Sequence, residues 1–123
     1  MKLRIHAGSL RLRLSQSEVV RLGEGGVIEE SVSFASGSEL RYELETGTAA
    51  AVTATFDQAN IRVVLPSALA KEWIESDLTG IEASTGTLRL LIEKDFQCLH
   101  REPEPGEDSF PHPLASEAVT DID

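Results

Sequence analysis

The sequence predicts a small, β-rich α+β domain, and three observations point to it. Apolar and polar residues alternate through most of the chain, as in "LRLRL" at 10–14 and "ELRYELE" at 39–45, which is the period of a half-buried strand. Only two stretches, from Ser15 and from Ser67, switch to helical spacing, and neither exceeds about three turns, so both need a sheet to stand on. The pattern also recurs: "LRLRLSQSEVVRLGEGG" (10–26) aligns without a gap on "IRVVLPSALAKEWIESD" (61–77). The expected architecture is two strand–strand–helix–strand–strand repeats forming an eight-stranded antiparallel barrel-like sheet with two short helices. Closure would remove the sheet edges that invite aggregation. An open antiparallel sheet with both helices on one face is the alternative.

Element by element, strands are expected at 2–6, 10–14, 27–34 and 39–45, then at 51–56, 60–65, 79–83 and 87–94. The connections "AGS", "ASGS", "DQAN" and "STG" have the length and composition of hairpin turns. The first helix opens on Ser15-Gln16-Ser17-Glu18, in which Ser15 and Glu18 can satisfy each other's free backbone amides. It ends at Gly23 or at Gly25-Gly26, where a left-handed cap costs glycine nothing. The second helix carries Leu69, Ala70, Trp73 and Ile74 on one face. Residues 1–101 are read as a single duplicated domain with halves near 1–49 and 50–95. An acidic, proline-rich segment at 102–114 is expected to dock on it through Phe110, and 115–123 reads as a disordered acidic tail.

Composition narrows the function classes. The 123 residues include 41% hydrophobic and 26% charged side chains, ordinary for a soluble globular domain. No apolar run reaches the ~18–20 residues of a membrane span. The opening "MKLRIHAGSLRLRL" lacks the apolar stretch of a signal peptide, and the single Cys98 has no intramolecular disulfide partner. A cytoplasmic protein is therefore expected. The net charge is −10; the last 22 residues carry seven carboxylates and no Lys or Arg, leaving −3 for the rest. Overall acidity argues against nucleic-acid binding, which needs a basic surface.

Two clusters could carry chemistry. Alternation places Lys2, Arg4 and His6 on one strand beside Arg11 and Arg13 on the next, all opposite the apolar set. Such a face suits a phosphate, a carboxylate ligand or an acidic partner segment. The plainer reading, which the sequence favours, is a solvated face laced to Glu29, Glu30, Glu43 and Glu45 by weak ion pairs. The second cluster is Cys98, His100 and His112, candidate metal ligands. No paired C-x₂-C units accompany them, so a buried, inert Cys98 is the better reading. No nucleophile elbow, P-loop, dinucleotide fingerprint or H-E-x-x-H motif is present. Val64 and Leu91 fall on the outward side of their strands, where a helix, the 95–114 segment or a second chain should cover them.

The N-terminal "RLRLSQSEV" with its following "EGG", and the C-terminal "EKDFQCL" with "FPHP", resemble the signatures of a family of small bacterial proteins of unknown function. The resemblance spans nearly all of 1–114. His112 stands where the family pattern has asparagine, which speaks against a required metal ligand there. The resemblance implies no activity or cofactor; it does imply that Phe96, Cys98, Leu99, Phe110 and Pro111 form one structural unit. The expected function is a non-enzymatic binding or interaction module for an acidic partner or small anion. No cofactor, nucleic acid or membrane is expected, and a homodimer is. The alternative is a small metal-dependent protein or enzyme centred on Cys98, His100 and His112.

Overall fold

A computed structural model of the chain describes residues 1–96 and 110. The elements run β1 (Lys2–His6), β2 (Ser9–Leu14), α1 (Gln16–Gly23), β3 (Ile28–Ser33) and β4 (Glu39–Gly47). They continue with β5 (Thr53–Asp57), β6 (Asn60–Pro66), α2 (Ser67–Ile74), β7 (Gly80–Thr85) and β8 (Leu88–Lys94). Bounds differ from the sequence expectation by a residue or two, and the order strand–strand–helix–strand–strand does occur twice. Cys98, His100, His112 and the stretches expected to dock or to be disordered lie outside the described residues, apart from Phe110.

The barrel does not form. The eight strands make two open four-stranded sheets, the first ordered β1-β2-β8-β7 and the second β3-β4-β6-β5. Nor are the sheets purely antiparallel: hairpins pair antiparallel, but the central pairs β2–β8 and β4–β6 are parallel. The result is nearer the open-sheet alternative, split in two. The physical reason is that period-two alternation fixes which face of a strand is apolar but not which neighbour it takes or in which direction. Each helix carries the chain from one sheet to the other, so each sheet combines one hairpin from either half.

The registers correspond between the sheets. An offset of 51 takes the pair Lys2–Arg13 of β1–β2 to Thr53–Val64 of β5–β6. Leu10–Leu90 of β2–β8 corresponds to Ile61–Tyr42 of β6–β4, and Ile28–Leu44 of β3–β4 to Ile81–Ile92 of β7–β8. The inner residues at these places fill one core: Leu12 with Val63, Leu14 with Leu65, Ile28 with Ile81, Leu44 with Ile92. To this core α1 contributes Val19 and Leu22, and α2 contributes Ala70 and Trp73, the largest fully buried side chain.

The two helices begin differently. Ser15 caps α1, with the Glu18 amide donating to its hydroxyl at 3.4 Å and its own amide donating to the Glu18 carboxylate at 2.9 Å. The helix closes through Gly26 N–H to Arg21 C=O at 2.9 Å, with Gly25 left-handed at φ +85°. Before α2 stands Pro66, which offers no side-chain cap; that helix relies on the burial of Trp73. Among the described residues no helix is long and apolar enough to cross a membrane.

Candidate functional site

The β1–β2 hairpin turns at Ala7-Gly8, and its register sets Lys2 opposite Arg13, Arg4 opposite Arg11 and His6 opposite Ser9. All six face away from Leu3, Leu10, Leu12 and Leu14, which line the core side. Like charges placed directly across a strand pair destabilise it, so this hairpin folds against its own electrostatics. Strand β8 extends the outer face with Arg89, Leu91 and Glu93 beside Ser9, Arg11 and Arg13, and β7 adds Glu82 and Ser84.

Compensation within the face is partial. The Nε atoms of Arg11 and Arg13 share one oxygen of Glu93, at 3.2 and 3.7 Å. The Arg11 contact is a contact between charges only, because its buried Nε has no hydrogen-bond partner. Lys2 reaches Asp95 at 2.9 Å and Arg89 reaches Glu82 at 3.0 Å. Among the described residues Arg4 has no ion-pair partner. The carboxylates expected to lace this face do not reach it. Glu29, Glu43 and Glu45 lie on the outer face of the second sheet, and Glu30 turns inward.

Arg4, His6, Ser9, Arg11 and Leu91 line an open depression of about 120 Å³. Two guanidinium groups there can present forked donors to a carboxylate or phosphate, while Leu91 supplies an apolar floor. The Ser9 hydroxyl donates to the His6 carbonyl at 2.8 Å, so it closes the turn and is not poised as a nucleophile. A larger depression, about 320 Å³, lies between the helices; its charged lining is Lys71 and Glu75, which balance each other.

The outer face of the second sheet inverts this pattern. Here two carboxylates, Glu43 and Glu45, share one guanidinium, that of Arg62, with Glu43 at 3.4 Å. The hydrogen bond and charge of Glu45 hold the Arg62 guanidinium above its ordinary range, against slight desolvation. Arg41 pairs with Glu39 at 3.1 Å. Glu29 sits opposite Glu43, like against like.

Sequence reasoning missed a partly buried polar cluster where the sheets meet. The Met1 α-ammonium contacts the Glu18 carboxylate and lies 2.7 Å from Glu30, and the Tyr42 hydroxyl donates to the Met1 carbonyl at 3.1 Å. Burial draws the ammonium pKa down, but hydrogen bonds and charge from Glu18 and Glu30 outweigh it and raise the value. For Glu18, burial pushes up while the ammonium and Ser15 pull harder, and the carboxyl ends low. Tyr42 is raised by burial first and then by Glu30 and Glu18. The signal in the sequence was Glu30, an acid at an inward position of its strand.

Phe110 sits at the same end of the first sheet, beyond the last residue of β8. Its amide donates to the Asp95 carbonyl at 2.6 Å and its ring lies 5.8 Å from that of Phe96. The Lys94 ammonium stands 5.8 Å from the Phe110 ring and 6.0 Å from Trp73, within reach of both π-faces. It donates to the Ser76 carbonyl at 2.8 Å. Burial holds its pKa below the usual lysine value, with Asp77 opposing. Among the described residues no group of three or more His, Cys, Asp or Glu could hold a metal ion.

The chain matches a family of unknown function, DUF7009, over residues 1–114 and belongs to it. Neither a curated protein nor a solved structure matches it.

Proposed function

We propose that this DUF7009 protein is a binding module whose basic face on β1, β2 and β8 takes up anionic groups, from an acidic partner segment or a small anion. The observation that carries this reading is the stacking of like charges, Lys2 on Arg13 and Arg4 on Arg11, with Arg4 left unpaired among the described residues. A face built only for solubility gains nothing from cations set directly opposite each other. A face that binds anions gains strength from it, because the uncompensated field is relieved by the ligand. The hydroxyl bound into its own turn supports binding rather than chemistry.

The test is calorimetric titration with inorganic phosphate and with a short oligo-glutamate peptide at low ionic strength. At least one should bind, the affinity should fall steeply with salt, and Arg4→Gln with Arg11→Gln should weaken it about tenfold or more. Absence of binding by both probes, or binding that the double variant leaves unchanged, would overturn the reading.

A further inference from the structure

The two outer sheet faces occupy corresponding positions and carry opposite charge. On the first sheet Lys2, Arg4, Arg11, Arg13 and Arg89 stand against Glu82, Glu93 and Asp95, five cations to three anions. On the second, Glu29, Glu39, Glu43, Glu45 and Asp57 stand against Arg41 and Arg62, five anions to two cations. The surpluses are opposite in sign, two positive charges on the first face and three negative on the second. Each face also holds a half-buried aliphatic residue on its outer side, Leu91 on the first and Val64 on the second.

We propose that the acidic partner is a second copy of this chain, which lays the outer face of its second sheet on the basic face of the first. This rests on the binding role given to the basic face above and names its occupant. Like faces repel, so a symmetric contact of basic on basic or acidic on acidic is disfavoured; only the head-to-tail contact brings opposite fields together. Such a contact uses different surfaces on the two copies and leaves one of each unused at the ends. It therefore repeats, into a ring if the rotation closes and an open row if it does not. Four strands about 5 Å apart and three outward positions about 7 Å apart give a face roughly 15–20 Å on a side. That is well short of the ~800 Å² per partner of a stable interface, so the association is weak, reversible and salt-sensitive.

Sedimentation velocity on the full chain tests it, using two variants. Lys2→Gln with Arg4→Glu disables the basic face: the new carboxylate lies opposite Arg11, which spares the hairpin, and Lys2→Gln gives up only an exposed ion pair to Asp95. Glu29→Lys with Asp57→Lys disables the acidic face. The unmodified chain should associate with rising concentration at about 20 mM salt and dissociate by about 300 mM. Each variant alone should stay monomeric, and an equimolar mixture should form a heterodimer that grows no further, because one good interface remains. That recovery also shows that both variants are folded.

A concentration-independent monomer at low salt overturns the proposal. If phosphate or oligo-glutamate still binds that monomer, the binding role stands and only the occupant is wrong; if neither does, both fail. Zero-length coupling of Lys2 to a carboxylate of 115–123 within a monomer would assign the face to the chain's own acidic end instead. Association that either variant leaves intact, or mixtures that stay monomeric, would also overturn it.

Discussion

At corresponding places the first sheet has Lys2, Arg4, Arg13 and Leu91 where the second has Thr53, Thr55, Val64 and Glu43. One ion pair occurs on both: Arg11 with Glu93 on the first, Arg62 with Glu45 on the second. Turned over, the same strands show near-agreement, with Leu14 beside Leu65 and Leu44 beside Ile92, all fully buried. The inner face must fill a shared volume at close-packed density, and a change of one methylene there is felt. The outer face answers only to water and partners, so its charge can differ without altering the fold. What distinguishes the two sheets therefore sits on the outer faces, the surfaces to which the proposed binding role is assigned.

The largest expected effect tests whether the inner faces are as equal as they look. Leu14→Ala and Leu65→Ala each remove a side chain with no exposed surface from corresponding strand ends. Each should cost about 2–5 kcal/mol in chemical denaturation, the range for a buried leucine cut to alanine. The two values should agree within about 1 kcal/mol. A larger gap would mean that one sheet dominates the core and that the matched registers conceal unequal packing.

How much of this was legible depended on which physical signal each feature leaves. Alternation revealed the strands, and Ser15 with Glu18 revealed the start of α1, because period and capping are local. Pairing is not local. Nothing in "LRLRL" says that Arg11 will lie beside Leu91 in parallel, so the barrel expectation failed and Glu43 was assigned to the wrong neighbours. The basic face was readable because Lys2, Arg4, Arg11 and Arg13 all lie on one hairpin whose turn fixes its register. Its acidic counterpart was not, since it spans β3, β4 and β5, which the chain brings together only through the second sheet. The Met1–Glu18–Glu30 cluster joins three elements and was invisible for the same reason.

That cluster supplies the next comparison. Where the first half has Met1, Glu18, Glu30 and Tyr42, the corresponding places in the second hold Val52, Leu69, Ala83 and Leu90, an apolar solution to the same junction. The polar solution should make stability depend on pH. The Glu18 carboxyl is lowered from its ordinary 4.5, so its contribution is present above that value and lost as pH falls through the folded one. The Met1 ammonium is raised from 8.0, so its contribution is full below 8.0 and lost as pH rises through the folded value. Unfolding free energy should be highest between these limits. Glu18→Gln should flatten both shoulders and cost about 1–3 kcal/mol in the interval, through the charged hydrogen bonds and half of the capping box. An unchanged pH profile in that variant would mean the junction holds by packing alone, as its apolar counterpart does.

The smallest effect is the most informative about the outer faces. Arg4 faces Arg11 across the hairpin and has no carboxylate partner among the described residues, whereas Thr55, in the corresponding place, faces an Arg62 already held by Glu43 and Glu45. Removing the Arg4 charge relieves repulsion and breaks no ion pair among the described residues. Arg4→Gln should therefore raise stability, by about 0.2–1 kcal/mol, the scale of a cross-strand pair. The gain belongs to low ionic strength and dilute protein, where the proposed self-association would not mask it. It should shrink as salt shortens the screening length to about 8 Å near physiological strength. Thr55→Arg adds a second cation to a neighbourhood in which one arginine already holds two carboxylates, and its cost should be near zero. A residue that weakens the free fold while strengthening anion binding is kept for the binding. If Arg4→Gln instead destabilises the monomer at every salt concentration, Arg4 contributes to the fold itself, and the basic face loses its strongest claim to a partner.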